Sequence, residues 1–124
     1  AICRAVKAAA PEAMLLALSG SEMIKAAQTL GLRVCSEVFA DRGYQPDGTL
    51  VPRGKPGAMI ENEEEAIARV LQMAKQGAVC AVDGSTVALQ ADSVCVHGDG
   101  PKALAFVRKI SAALPAAGVE IKAQ

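Results

Sequence analysis

Apolar residues along this 124-residue chain follow two patterns that alternate. Met14–Leu18 is an unbroken apolar run of strand length, as in a strand buried on both faces. Leu32–Phe39 is a second such strand, rich in Val, and Ser93–Val96 a shorter one. Helical patterns lie between them. Ala1–Ala9 reads as the end of a helix closed by Pro11. Ser19, Gly20, Ser21 and Glu22 offer caps for a helix that runs to about Leu30 and stops at Gly31. Asn62 opens the best-defined helix. Glu65 three residues on completes a capping-box-like pair, and Glu63 and Glu64 suit the positive end of the helix dipole. Ile67, Val70, Leu71 and Ala74 share one face of it, and Gly77 is its stop. Val79–Val82 and Thr86–Leu89 flank Asp83-Gly84, the signature of a hairpin with a two-residue turn. After Ser93–Val96, the turn at His97, Gly98, Asp99 and Gly100 leads to Pro101, a favourable first helical residue. Leu104, Val107, Ile110 and Leu114 are the expected buried face of that last helix, with Pro115 and Gly118 ending it.

Strands of buried type alternating with helices predict an α/β architecture with parallel pairing, in a single domain without internal repeats. Three or four strands cannot close a barrel by themselves. They suit a small open sheet or part of a larger barrel.

One segment breaks the alternation. From Ser36 to Ile60 six charged residues crowd together: Glu37, Asp41, Arg42, Asp47, Arg53 and Lys55. The same stretch holds Phe39, Tyr44, and three of the six prolines. Ordinary connections run about 4–6 residues, and a loop this long with rigid corners is more often a binding or active-site loop than a spacer.

Composition narrows the classes. Lys plus Arg and Asp plus Glu are both 13, so the formal net charge is zero, which argues against an extended nucleic-acid footprint, since that needs a basic face. Two Phe, one Tyr and no Trp leave no platform for stacking bases. No run approaches the ~20 apolar residues of a membrane span, and the amino terminus lacks the apolar run of a signal peptide. The chain lacks an initiator Met and starts inside a helical pattern, which reads as a piece of a longer chain. The four cysteines, Cys3, Cys35, Cys80 and Cys95, form no Cys-x-x-Cys pair, and three lie in apolar strand-like runs. That usage suits reduced thiols and a cytoplasmic location. Cys95 and His97 do not match a zinc module in spacing, so no metal site is expected.

In parallel α/β folds ligands gather at the carboxyl ends of strands. Ser19-Gly20-Ser21 follows the first strand, Glu37 with Asp41 and Arg42 marks the end of the second, and His97 to Gly100 follows the last. His97, the only histidine, is a candidate acid or base beside an anion-binding turn; alternatively Asp99 caps the helix and His97 fills a strand end. Glu37 and Asp41 either converge on one site or are solvated. Arg42 suits bidentate binding of a carboxylate or phosphate, or bracing of the loop. Arg53 and Lys55, set between Pro52 and Pro56, suit closure over an anion or plain surface charge. The glutamates from Glu61 to Glu65 read as a solvated helix start. Gly98-Asp99-Gly100 is too short for a dinucleotide fingerprint, and no Gly-rich phosphate loop is present.

The block from Ser36 through Tyr44, the stretches Pro46–Arg53 and Pro56–Ile60, then Val82–Ser85 and Val94–Asp99, resemble the LamB/YcsF family of 5-oxoprolinase components. The resemblance implies a (β/α) barrel of the sugar-deacetylase type. It implies hydrolysis of 5-oxoproline to L-glutamate, with ATP as co-substrate and with partner subunits B and C. On it, Glu37, Asp41, Arg42, Arg53, His97 and Asp99 map onto the family's motif positions at the barrel mouth. From side-chain chemistry alone, His97, Asp99 and Glu37 are expected to be catalytic and Asp41, Arg42 and Arg53 to bind substrate. The chain corresponds to the carboxyl-terminal half of such a protein, without the family's acidic and histidine-bearing amino-terminal motifs. The fragment by itself is therefore expected to be inactive. The alternative is a non-catalytic module for small-anion binding or subunit interaction. A metal-dependent sugar deacetylase is suggested by fold analogy alone, and the single histidine weakens it.

Overall fold

The computed structural model of the protein describes residues 1–98 and 103–123. Nine elements follow one another: α1 (Ile2–Ala9), β1 (Met14–Leu18), α2 (Glu22–Thr29), β2 (Arg33–Phe39), α3 (Glu63–Gln76), β3 (Ala78–Cys80), β4 (Thr86–Ala88), β5 (Ser93–Cys95) and α4 (Ala103–Ala116). The local signals act as their chemistry requires. The Ser21 hydroxyl accepts from the Ile24 N–H at the start of α2, and the Asn62 side chain accepts from the Glu65 N–H at the start of α3. Gly77 ends α3 in the left-handed conformation, φ 61°.

The architecture is α/β with parallel strands. β1, β2 and β5 form one open sheet in that order. Met14 through Leu18 pair with Arg33 through Glu37, and Glu37, Val38 and Phe39 pair with Ser93, Val94 and Cys95. β3 and β4 stand apart as an antiparallel ribbon. The main core gathers Val38, Ala40 and Tyr44 with Ala66, Val70 and Met73 of α3, Val79 and Val87 of the ribbon, and Phe106, Ile110 and Leu114 of α4. A smaller cluster joins Cys3, Ala27 and Leu32 under α1 and α2.

Four expectations are corrected. β1 is not buried on both faces. It is an edge strand: Leu15 packs toward the smaller cluster, while Leu16, on the opposite face by alternation, is 53% exposed. The hairpin turn has three residues, not two. The Gly84 N–H donates to the Ala81 carbonyl and the Ala81 N–H to the Ser85 carbonyl, so Gly84, at φ 86°, forms a bulge after a tight turn. Asp83 steadies it by accepting from the Ser85 N–H and hydroxyl, which also holds its carboxyl below the usual range. The buried face of α4 is set by Phe106, Ile110 and Leu114, whereas Leu104 is 64% and Val107 41% exposed. α4 is apolar on more than one side, and the bulky Phe106 at i, with Ile110 and Leu114 at i+4 and i+8, takes the core. Pro115 lies inside the last turn of α4 rather than after it. The expected start at Pro101 lies outside the described residues.

Candidate functional site

The register of the sheet sets the site. Phe39 pairs with Cys95 at the carboxyl ends of β2 and β5. Counting two residues past each brings Asp41 and His97 side by side, because parallel strands advance together. The Ala40 N–H donates to the Cys95 carbonyl at 3.1 Å and carries the ladder past the last pair. His97 Nδ1 lies 2.7 Å from Asp41 Oδ2 and 2.9 Å from Oδ1. The side chains are 25% and 13% exposed, so the pair is partly shielded and still reachable. The ring of Phe39 stacks on that of His97, with centroids 5.8 Å apart and planes at 28°.

The proton positions follow from the chemistry. A carboxylate only accepts, so Nδ1 carries the proton given to Asp41. In the neutral ring Nε2 then holds the lone pair, the arrangement of an oriented general base.

Glu37 belongs to the same end of the sheet, though inside β2 rather than beyond it, paired with Leu18 on one side and Ser93 on the other. By alternation it shares a face with Phe39, and with Cys95 paired to Phe39. Partial burial, then the Glu37 and Asp41 carboxylates, push the Cys95 thiol up. Burial does the same for Cys35, with help from Asp92 and Glu37. Both therefore stay protonated and unreactive at neutral pH. Among the described residues no group of three or more His, Cys, Asp or Glu is arranged to hold a metal ion. All four cysteines are unpaired and only Cys80 is exposed. Titration with a thiol reagent is expected to find one fast-reacting thiol in the folded chain and four in denaturant; two or fewer in denaturant would contradict it.

Arg42 does not reach for a ligand here. It is 7% exposed, and its guanidinium donates from Nε to the Ala58 carbonyl and from Nη2 to the Val51 carbonyl. It braces the loop from within, through backbone carbonyls rather than a salt bridge. Arg53 lies exposed in the turn closed by the Lys55 N–H on the Pro52 carbonyl, and among the described residues its side chain has no hydrogen-bond or ion-pair partner. Asp99 falls outside the described residues.

Several contributors carry no sequence motif. Arg69 of α3 donates to the carbonyls of Cys80 and Arg42, tying helix, ribbon and loop together. Lys109 of α4 pairs with Glu63 at the start of α3. Gly43 lets two stretches of the loop touch: a Cβ there would lie 1.9 Å from the Gly57 carbonyl oxygen. Their only sequence signal is position, a long side chain or a glycine beside the charged loop.

An open parallel sheet with an acid–histidine pair at its carboxyl edge defines an α/β protein whose polar site is built by the loops after its strands. Comparison with known proteins takes this further. The model of the LamB/YcsF family matches residues 1–124, and the chain belongs to that family. It is 58% identical over 113 residues to the 5-oxoprolinase A subunit of Neisseria meningitidis serogroup A, covering 91% of this chain and 46% of that protein. It is 54% identical over 121 residues to the 5-oxoprolinase A subunit of Clostridium beijerinckii, covering 98% and 48%. The crystal structure of the lactam utilization protein from Thermus thermophilus superposes with a TM-score of 0.89 at 42% identity, over 99% of this chain and 49% of that one. The chain thus spans about half the length of the relatives it matches.

Proposed function

We propose that this chain forms the carboxyl-edge part of the A component of 5-oxoprolinase, which opens the lactam of 5-oxoproline to L-glutamate at the expense of ATP, in the cytoplasm, together with subunits B and C. The observation that carries the reading is the Asp41–His97 pair, 2.7 Å apart and oriented by the stacked Phe39. Similarity to 5-oxoprolinase components and to a lactam utilization protein supports the substrate class.

Lactam hydrolysis adds water across the amide. The water oxygen joins the ring carbonyl carbon, the C–N bond breaks, and a proton passes to the departing nitrogen. An oriented histidine suits both transfers: Nε2 takes the proton from water and returns it to the nitrogen, while Asp41 holds Nδ1. Glu37 is the second proton-transfer group in this reading, Asp99 the third. Arg53, exposed on its braced turn, is the cation offered to the substrate carboxylate or to phosphate. Arg42 serves the site by holding that turn.

A second reading, that this chain binds a small anion or a partner protein without turnover, is favoured by one observation: Arg53 is exposed, with no hydrogen-bond or ion-pair partner among the described residues. The deciding experiment measures glutamate release from 5-oxoproline with ATP and subunits B and C. The full-length protein carrying this sequence is expected to be active and the 124-residue chain inactive. No glutamate from the full-length protein would sink the enzymatic proposal. ATP-dependent glutamate formation by the 124-residue chain would overturn its expected inactivity.

A further inference from the structure

We infer that Tyr44 is a positioning residue for the Asp41–His97 pair, its phenol closing the turn that presents Asp41 and Phe39 to the histidine. The inference rests on the function proposed above only for its kinetic consequence. The Tyr44 side chain turns back over five residues, and its hydroxyl accepts the Phe39 N–H at 3.0 Å. That N–H stands where the sheet runs out. Leu18 is the last residue of β1 and pairs with Glu37, so β1 offers Phe39 no carbonyl. β5 lies on the opposite edge of β2 and takes the alternate group, the Ala40 N–H, on the Cys95 carbonyl. The phenol stands in for the missing strand.

The setting makes the hydroxyl informative. Tyr44 is 1% exposed and packs among Val38, Ala40, Val70 and Met73, where a Phe would fill nearly the same space. A buried hydroxyl is costly unless bonded. Here it bonds within the loop that carries the candidate site. Between the two ends of this clasp lies Asp41, whose own carbonyl accepts from Ile60 N–H. The Tyr44 carbonyl in turn accepts from Val82 N–H, fixing the phenol's own backbone to the ribbon. Asp41 is therefore held from both sides, and the ring of Phe39 is fixed by the same bond that fixes the turn.

Tyr44→Phe tests this, because it keeps the ring and removes only the acceptor. In the 124-residue chain, the hydrogen-bonded Nδ1 proton of His97 should give a downfield NMR signal that broadens or vanishes in Tyr44→Phe. A merely stabilising tyrosine would lower the melting temperature and leave that signal in place, which would overturn the inference. In the full-length protein, Tyr44→Phe should lower kcat about tenfold or more with KM within about twofold, the signature of misplaced catalytic groups. Unchanged kcat, where His97→Ala is crippled, overturns the positioning role alone. If His97→Ala is itself normal, the catalytic reading fails and the NMR result still decides whether Tyr44 positions the pair. Should Tyr44→Phe not fold, amide exchange in the unaltered chain decides: Phe39 should exchange as slowly as Ala40, and fast exchange at Phe39 rules the clasp out.

Discussion

Replacing His97 with Ala in the full-length protein is expected to lower turnover by about 10²-fold or more, and Asp41→Asn by a similar factor. The two substitutions fail for different reasons. His97→Ala removes the nitrogen that exchanges protons with water and the lactam. Asp41→Asn keeps the shape but offers an amide that can donate to Nδ1. The ring can then settle with its lone pair facing Asn and its proton on Nε2, pointed the wrong way for a base. Both losses should appear in kcat more than in KM if the pair acts in proton transfer. Stability should change by only about 1 kcal/mol, since His97 is 25% exposed and neither residue belongs to the core. A His97→Ala enzyme with normal turnover would dismiss the base and leave His97 as a strand-end residue packed on Phe39. A loss in His97→Ala with none in Asp41→Asn would keep the base and discard its orienting partner.

Much of the frame is legible in residue order because short-range chemistry decides it. The bounds of β1, the Ser21 and Asn62 caps and the Gly77 stop all depend on neighbours within four residues. What is not legible depends on distance in space. That Leu16 stays exposed depends on what packs over its face of β1, which no local pattern encodes. The turn at Asp83-Gly84 is visible in sequence, yet its length is set by which carbonyl the Ala81 N–H finds. In the site, the carboxyl-edge rule is enough to single out His97 and Asp41 as candidates. Their pairing needs the Phe39–Cys95 register, a contact across 56 residues. In sequence, Arg42 suits either a ligand-binding cation or a brace for the loop, and charge in a loop is most often turned to solvent. The loop instead folds around it, and its carbonyls at Val51 and Ala58 take the guanidinium. A buried Arg of this kind leaves no signature in sequence except an unusually long loop.

Gly43→Ala is expected to destabilise the chain by about 3 kcal/mol or more, at the upper end of what overpacking does. The reason is space, not conformation. Gly43 is not among the glycines with positive φ, so its backbone would accept Ala anywhere else. Here the new Cβ would sit 1.9 Å from the Gly57 carbonyl oxygen, 3.1 Å from the Gly57 carbonyl carbon and 3.3 Å from a Val51 methyl. Backbone atoms cannot swing aside as a side chain end can. The two stretches are also tied on either side: the Gly43 N–H donates to the Ala58 carbonyl, the Val51 N–H to the Gly43 carbonyl, and Arg42 bridges to Met59. Relief of the clash must therefore break several of these bonds and disturb the carbonyls that hold Arg42. Gly54→Ala supplies the comparison. Gly54 has φ 86°, where any L side chain is strained, but nothing lies within 4 Å of its Cβ position. It should cost only about 1–2 kcal/mol. Thermal melts of the two variants should rank Gly43→Ala well below Gly54→Ala, with a fall of roughly 10 °C or more for the former. Equal melting temperatures would mean that the loop yields freely, and a loop that yields could not hold Asp41 against His97. The order of the two glycines therefore tests whether the 42–60 loop is the rigid frame that the site requires.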